Sequence, residues 1–253
     1  MTETLLLIGG IDSGAGAGLL RDHATALSLG LSVRVVVTAL TAQNDCGVRS
    51  VNFTNPTMIA AQIVAAVEAG PIAAVKIGML GNAGIVRAVE AALPNCPIVL
   101  DPVLSSTSGH SLLDPSGLLC LRRMIPKVSV LTPNLPELAL LSGQPQPQSA
   151  ELAESLARAW PIAVLVKDGH GAGHTSTDYL FQPNCPALTL PAPRQRQSRR
   201  GTGCTLATAL ACGLAQGLSL EAAARKAKLA VGTYLSSIVP AVDCHDKSVD
   251  SSA

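Results

Sequence analysis

Short apolar runs recur along the chain, and each is followed by glycine or polar residues. They lie at 5–8, 33–38, 72–77, 97–100, 128–131 and 162–166. Runs of this length, bounded by glycine or polar residues, are typical of strands buried on both faces of a parallel sheet. Helical patterns separate the runs; for example, Pro56 precedes Ile59, Ile63 and Val67, which are spaced to share one helix face. The alternation predicts a parallel sheet with helices on both sides.

The remaining patterns complete the predicted organisation. Helices are expected from the glycine-rich segment to about 28, over 82–93, and from the Ser219 cap to about 238. Short strands at 178–181 and 187–190 are expected to be antiparallel at one edge, and residues 39–45 are expected to form a polar loop. Alternating Pro and Gln at 144–148 indicate a stiff linker. We expect one domain over 1–242 and a flexible tail over 243–253.

A glycine turn at 201–203 precedes a further helical pattern. Leu206, Leu210 and Leu214 recur every four residues and would share one face. A glycine turn that opens a helix presents backbone N–H groups at the positive end of the helix dipole, which suits an anion. Cys204 would lie in the first turn, where this field lowers a thiol pKa and favours the thiolate. The alternative is an ordinary turn with a buried, inert cysteine.

Polar side chains follow several of the predicted strands. Gln43, Asp101, Asn134, Glu137 and Lys167 all come just after an apolar run. Because the carboxyl ends of parallel strands meet at one edge, where open α/β sheets hold ligands, these residues are expected to lie together. Carboxylates with an asparagine suit Mg²⁺, and a lysine suits nucleotide phosphate. Taken singly, each residue has an ordinary alternative: a cap, a solvated carboxylate, or a local ion pair with Asp168.

Composition and charge narrow the classes of partner. Apolar residues form 48% of the chain and aromatic residues only 2%, which leaves too few rings for a base-stacking platform. The net charge of +1 gives no field toward nucleic acid or an anionic membrane. The cysteines are scattered without a Cys-x-x-Cys pair, which disfavours a disulfide framework or a zinc site. No leader or bilayer-length apolar run is seen. We expect a cytoplasmic protein that binds a small molecule.

Several motifs resemble one known family in order and sequence. They are Gly-Gly-Ile-Asp at 9–12, Gly-Ala-Gly at 16–18, Thr-Ala-Leu-Thr-Ala-Gln-Asn at 38–44, Lys-Ile-Gly-Met-Leu at 76–80, Val-Leu-Asp-Pro-Val at 99–103, Thr-Pro-Asn-Leu-Pro-Glu at 132–137 and Gly-Thr-Gly-Cys-Thr-Leu at 201–206. The resemblance covers residues 5 to about 235. The chain resembles the hydroxymethylpyrimidine/phosphomethylpyrimidine kinases of thiamine synthesis, within the ribokinase-like superfamily. Sugar kinases of that superfamily carry aspartate at the position of Cys204.

The resemblance implies a fold, an activity and a set of site residues. The fold would be a ribokinase-like three-layer α/β/α sandwich with a mostly parallel central sheet. The activity would be ATP- and Mg²⁺-dependent phosphorylation of a hydroxymethyl group, and often of its phosphate ester, by a homodimer. Cys204 would be the base, with Gly201, Thr202 and Gly203 around it. Lys167, Asn134, Asp101 and Arg200 would serve ATP, Asp101 and Glu137 the metal, and Gly10, Ala17, Asp22, Gln43, Met79 and Val103 the pyrimidine.

Gln43 also fits the pyrimidine on chemical grounds. A carboxamide presents one donor and one acceptor side by side, which matches an exocyclic amine beside a neutral ring nitrogen. Met79 and Val103 have an equally simple interpretation as core residues.

The chain departs from the family pattern mainly on the phosphate side. Ser13 and Gly14 replace a usual Pro-Ser, Ala24 and Thr107 stand where lysines are frequent, and Asp168 replaces a glycine. Arginines at 196, 199 and 200 replace a Thr/Asn/His-type lead into the glycine turn. One hypothesis is that Arg199 or Arg200 supplies the positive charge of the missing lysines.

Three other functions are compatible with parts of the pattern. A pyridoxal or pyridoxine kinase belongs to the same superfamily, but its substrate lacks the amino group that Gln43 would recognise. A pyrimidine-binding sensor with weak kinase activity would share the pocket. Nucleic-acid binding through the arginines at 194–200 is disfavoured by the net charge and the low ring content.

Overall fold

The computed structural model describes residues 2–106, 109–143, 149–167, 173–195 and 199–237. The strands are β1 Thr4–Asp12, β2 Ser32–Asn44, β3 Gly47–Phe53, β4 Ala74–Ile77, β5 Ile98–Leu100, β6 Val130–Leu131, β7 Ala163–Val166, β8 Thr175–Phe181 and β9 Leu188–Pro193. The helices are α1 Gly18–Ser28, α2 Pro56–Glu68, α3 Ala83–Ala92, α4 Pro115–Met124, α5 Leu135–Ser142, α6 Ser149–Ala159, α7 Thr202–Ala215 and α8 Leu220–Ser236. A single 3₁₀ turn, Ile125–Lys127, follows α4.

All described strands belong to one sheet, ordered β3-β2-β1-β4-β5-β6-β7-β8-β9. The six strands from β2 to β7 in this order pair in parallel, whereas β3, β8 and β9 are antiparallel. At one edge, Pro191 and Pro193 of β9 lie opposite Thr177 and Thr175 of β8. The expected mostly parallel sheet with an antiparallel edge is confirmed.

The sheet separates two hydrophobic cores. In β1, Leu6 and Ile8 face a core shared with α2 to α6, while Leu5 and Leu7 face a core shared with α1, α7 and α8. Successive side chains of a strand point to opposite faces, so an apolar run without alternation fills both cores. The three-layer α/β/α sandwich is therefore confirmed.

Local sequence explains where four of the eight described helices begin. The side chains of Asn55, Asn82, Asp114 and Ser219 each accept a hydrogen bond from a backbone N–H in the first turn of the following helix. Such caps satisfy donors that have no partner within the helix. Pro56 and Pro115 occupy first helical positions, where a missing N–H costs nothing.

The structure also differs from several sequence expectations. The polar loop expected at 39–45 is wrong, because β2 continues to Asn44 and pairs with β3, which was not predicted. Val67 does not join Ile59 and Ile63 in the core, since 41% of it is exposed. The pattern gave no prediction for α4, α5 and α6. The linker at 144–148, the tail at 243–253, Thr107, Asp168 and residue 196 lie outside the described residues.

None of the helices in the described part of the chain is long and apolar enough to cross a bilayer.

Candidate active site

One cavity of about 520 Å³ opens at the carboxyl edge of the parallel strands. Described residues that follow β1, β4, β5, β6 and β7, the end of β2 and the start of α7 line it. Every site residue predicted from the sequence lines this cavity: Gly10, Ala17, Asp22, Gln43, Met79, Asp101, Val103, Asn134, Glu137, Lys167, Arg200, Gly201, Thr202, Gly203 and Cys204. Residues up to 194 positions apart in the sequence are thus brought together by the shared direction of the strands.

The glycine turn at the start of α7 has a steric reason. Gly201 has a φ of 81°, a left-handed conformation that side-chain-bearing residues rarely adopt. A Cβ there would also collide with the carbonyl oxygen of Gly16. The first hydrogen bond of α7 runs from the Thr205 N–H to the Gly201 carbonyl oxygen. The N–H groups of Thr202, Gly203 and Cys204 therefore lack acceptors within the helix and are suited to an anion.

The pKa of the Cys204 thiol differs from the sequence expectation. Burial raises the pKa of Cys204 to about 11, although the charge of Lys76 and a backbone hydrogen bond from Gly18 both lower it. The expected lowering of the Cys204 pKa is therefore wrong. The helix N-terminus does favour the anion, but the loss of water around the half-buried Cys204 is the larger effect.

An ion pair that sequence reasoning did not identify lies at the base of the cavity. The Nζ of Lys76 in β4 is 2.7 Å from the Oδ2 of Asp22 in α1, and Thr208 donates a 2.8 Å hydrogen bond to the other Asp22 oxygen. The two charged side chains are only 1% and 0% exposed. Burial lowers the pKa of Lys76, but Asp22, Cys204 and Asp101 together raise it above its usual value, so the ammonium stays charged. The available signal was a lysine within the otherwise apolar strand β4.

On the β7 side of the cavity, Lys167 joins two carboxylates. Its Nζ is 2.7 Å from Oδ1 of Asp101 and 3.6 Å from Oε2 of Glu137. Burial lowers the pKa of Lys167, but Asp101 and Glu137 raise it above its usual value. Burial raises the pKa of Glu137, and Lys167 offsets part of this effect. The local pairing of Lys167 with Asp168 concerns a residue outside the described part of the chain.

Asn134 and Glu137 also fix each other. The Asn134 side chain accepts a 2.8 Å hydrogen bond from the Glu137 N–H, and Glu137 Oε2 accepts a 2.8 Å hydrogen bond from the Asn134 N–H. This reciprocal pair is a capping box at the start of α5. It sets the position of the Glu137 carboxylate beside Lys167. Among the described residues, nothing donates a hydrogen bond to Oδ2 of Asp101 or Oε1 of Glu137.

The β2 side of the cavity is less polar. Met79 packs with Ala39 and Leu112, and Val103 lies against this cluster, so both residues serve the core as well as the cavity wall. A Cβ on Gly10 would lie 3.1 Å from Met79 Sδ, so glycine keeps this wall open. Within the described part of the chain, the Gln43 carboxamide has no protein hydrogen-bond partner; only its backbone is bound, reciprocally, to the Ser13 hydroxyl.

Arg199 and Arg200 are both held by neighbouring groups. Arg200 Nη1 is 3.0 Å from Asp12, and its Nε donates a 2.8 Å hydrogen bond to Asp45. A Cβ on Gly14 would lie 2.9 Å from Arg200 Nη2, so the departures from the family pattern at 14 and 200 fit one another. Arg199 stacks on the Tyr234 ring at 4.1 Å and donates to the carbonyl oxygens of Tyr234 in α8 and of Ser237 just after it. Neither guanidinium group is an unengaged cation.

Comparison with known proteins agrees with this geometry. A sequence model described as phosphomethylpyrimidine kinase matches residues 12–245. A hydroxymethylpyrimidine/phosphomethylpyrimidine kinase of Rhizobium meliloti is 38% identical over 251 residues, which cover 96% of this chain and 92% of the relative.

Two solved structures are also similar. The pyridoxal kinase of Staphylococcus aureus has a TM-score of 0.85 at 29% identity, covering 96% of this chain and 92% of the other. The phosphomethylpyrimidine kinase of Clostridium difficile has a TM-score of 0.76 at 31% identity, covering 93% and 100%. The architecture is thus that of ribokinase-like vitamin kinases, and the extent of the sequence match identifies the chain as a member of the hydroxymethylpyrimidine/phosphomethylpyrimidine kinase family of phosphotransferases.

Proposed function

We propose that this chain transfers the γ-phosphoryl group of ATP to the hydroxymethyl group of 4-amino-5-hydroxymethyl-2-methylpyrimidine, and then to the monophosphate, in thiamine biosynthesis. The observation that carries the proposal is the position of Cys204 and the start of α7. They share one cavity with Gln43, near the end of β2, and with Lys167, directly after β7. In the sheet, β2 and β7 lie on either side of β1, β4, β5 and β6. A ring held on the first side and a triphosphate held on the second would meet at α7.

Recognition of the ring is assigned to the β2 side. The unengaged carboxamide of Gln43 would pair with the exocyclic amine and the adjacent ring nitrogen. Met79 and Val103 would pack against the ring, while Gly10 and Ala17 leave space for it. Asp22 lies at the base of the pocket.

Proton transfer is assigned to Cys204. The substrate hydroxyl would give its proton to the thiolate form of Cys204 as its oxygen attacks the γ-phosphorus. Because Cys204 has a pKa of about 11 without substrate, only a small fraction of it is thiolate at neutral pH. The rate should therefore rise with pH. The N–H groups of Thr202, Gly203 and Cys204 would stabilise the charge on the transferred group.

Nucleotide binding is assigned to the β7 side. Lys167 would contact the phosphates, with Asn134 at the start of α5, and Arg200 would add a weaker contribution because Asp12 and Asp45 already engage it. The donor set also fits Mg²⁺, which binds one or two carboxylates together with phosphates and water. Asp101 and Glu137 would hold it through the two oxygens that accept no hydrogen bond from described residues. The bound ion would neutralise phosphate charge.

The test is a phosphoryl-transfer assay with the hydroxymethylpyrimidine, then with its monophosphate, for the native chain and Cys204→Ala. We expect ATP-dependent product with both substrates and its loss in the variant. Ligand binding by calorimetry without ATP consumption would instead support a pyrimidine sensor.

A pyridoxal kinase is the second candidate, and the higher TM-score of the Staphylococcus aureus enzyme favours including it. The same assay with pyridoxal decides between the two. A larger kcat/KM for pyridoxal than for the pyrimidine would overturn the proposed substrate.

The proposal extends to the oligomeric state, localisation and domain organisation of the enzyme. In keeping with the family resemblance, we propose a cytoplasmic homodimer built from one domain over 1–242. Light scattering of the purified chain tests the dimer, and limited proteolysis tests the domain boundary.

A further inference from the structure

Lys76 occupies a position that packing alone does not explain. It is the one charged residue in β4, between Val75 and Ile77, and it is 1% exposed. Burying a charged pair costs several kcal/mol per ion in desolvation, and apolar replacements are often equally stable or more stable. A buried lysine–aspartate pair in the wall of the cavity therefore calls for a functional explanation.

The contacts of Lys76 connect it to α7, the helix that carries Cys204. Asp22 accepts from Lys76 Nζ at 2.7 Å and from the Thr208 hydroxyl at 2.8 Å. Thr208 and Cys204 are four residues apart on α7 and so lie on the same helix face. A Cβ on Gly78 would lie 2.8 Å from Lys76 Nζ, which places the ammonium beside the strand end. Lys76, Asp22 and Cys204 line the same cavity.

The charges around Cys204 come from four elements. Lys76 in β4 favours the thiolate, whereas Asp22 in α1 and Asp101 after β5 oppose it. Lys167 after β7 also interacts with the sulfur. Among the charged side chains, Lys76 has the largest influence on the Cys204 pKa.

We propose that Lys76 is a positioning residue for phosphoryl transfer: its ammonium group, fixed by Asp22 and Thr208, holds a permanent positive charge behind Cys204 and stabilises the thiolate that accepts the substrate proton. This inference rests on the proposed function. In the step, the substrate O–H bond breaks and its proton goes to Sγ. The oxygen electron pair forms the new bond to the γ-phosphorus, and ADP leaves with the electrons of the old P–O bond.

The experiment measures the thiolate directly. The native chain, Lys76→Met and the double variant Lys76→Met/Asp22→Asn are treated with iodoacetamide at about pH 8.5, and alkylation of each cysteine is followed by peptide mass spectrometry. An adjacent charge shifts a pKa by at least roughly one unit, so Cys204 should react about tenfold more slowly in Lys76→Met. The loss should be smaller but still present in the double variant, because Asp22→Asn also removes a charge that opposes the thiolate. The double variant leaves no unpaired carboxylate and keeps the test valid if the single variant fails to fold.

Two controls separate charge from general damage. Exposed Cys185, in the turn between β8 and β9, should keep its native alkylation rate in every variant. Lys228→Met/Asp178→Asn removes a different Lys–Asp pair, 2.8 Å apart between α8 and β8, and should leave Cys204 alkylation unchanged. Lys76→Arg keeps the charge and should restore most of the native rate.

Kinase activity then links the charge to catalysis. We expect kcat of the charge-removing variants to fall by a factor similar to the fall in alkylation, and the rise of kcat/KM with pH to move to higher pH. Native alkylation rates at Cys204 in both variants would overturn the role of Lys76. Because alkylation requires no pyrimidine, that failure is distinct from a native enzyme that phosphorylates none of the proposed substrates.

Discussion

The two sides of the cavity are organised in different ways. On the β7 side, the charged groups are bound to one another: Lys167 joins Asp101 and Glu137, and Glu137 is fixed by Asn134. On the β2 side, the Gln43 carboxamide has no protein partner among the described residues. The first side is preorganised to stabilise charge, whereas the second keeps its hydrogen-bonding capacity for a ligand. Substitutions on the two sides should therefore change different kinetic constants.

The largest effect is expected at the point where the two sides meet. Cys204→Ala removes the proposed base, and kcat should fall by about 10²–10⁴-fold, the usual contribution of a positioned base. Steady-state kinetics with the pyrimidine measures it. Cys185→Ala, which alters an exposed cysteine of the β8–β9 turn, is the matched control and should retain native kcat. Retention of more than a tenth of the native kcat in Cys204→Ala would contradict the base assignment.

On the β7 side, Lys167→Met should lower kcat/KM for ATP by about 10²–10³-fold, as for loss of one preorganised electrostatic contact. The variant also leaves Asp101 and Glu137 facing each other without the cation. The KM for the pyrimidine should remain within about twofold of the native value. Lys127→Met, in which the lost lysine is exposed and pairs with Glu90, is the control. Equal losses for both substrates would refute the separation of the two sides.

The pH profile should reflect the raised pKa of Cys204. The thiol has a pKa of about 11, so between about pH 7 and 9 the thiolate fraction and kcat/KM should both rise roughly 100-fold. Cys204→Asp supplies the comparison, because a carboxylate is already ionised at neutral pH and its profile should be flatter. A native profile that is level over this range would show that Cys204 does not act as a base in its free-enzyme state.

On the β2 side, Gln43→Leu should raise the KM for the pyrimidine by about 10–100-fold, since it replaces a directional hydrogen-bonding group with an apolar one. The ATP constant should hardly change. Pyridoxal, which lacks the amino group beside a ring nitrogen, serves as the comparison substrate. If Gln43→Leu weakened both substrates equally, Gln43 would not be the residue that distinguishes them.

The smallest effect is expected for Arg200→Ala. Its guanidinium is already engaged by Asp12 and Asp45, so the apparent ATP constant should rise by only about threefold. Titration of ATP at saturating pyrimidine measures it. Arg225→Ala, an exposed arginine of α8 paired with Glu221, is the control. An unchanged ATP constant and turnover would remove Arg200 from the nucleotide site.

The sequence pattern was sufficient to predict which residues meet at the carboxyl ends of the parallel strands. Parallel strands end at one edge, so the convergence of Gln43, Asp101 and Lys167 followed from recognising the strands. The helix start at Gly201 was also predictable, because glycine permits the left-handed conformation found there.

Features that depend on long-range packing were not predictable in the same way. The pKa of Cys204 depends on how far the folded chain excludes water from it, and no local pattern reports this. The partner of Lys76 is 54 residues away, and Arg200 reaches Asp45 across 155 residues. β3 was missed because the polar residues near the end of β2 resemble a loop until the hairpin pairs them.

The two prolines of β9 affect how this edge of the sheet can pair with another molecule. Pro191 and Pro193 alternate along the outermost strand at that edge, so neither position supplies an amide hydrogen to an approaching chain. Intermolecular strand addition, the route by which exposed sheets aggregate, is thereby discouraged at this edge. β3, at the opposite boundary of the sheet, contains no proline and lacks this protection.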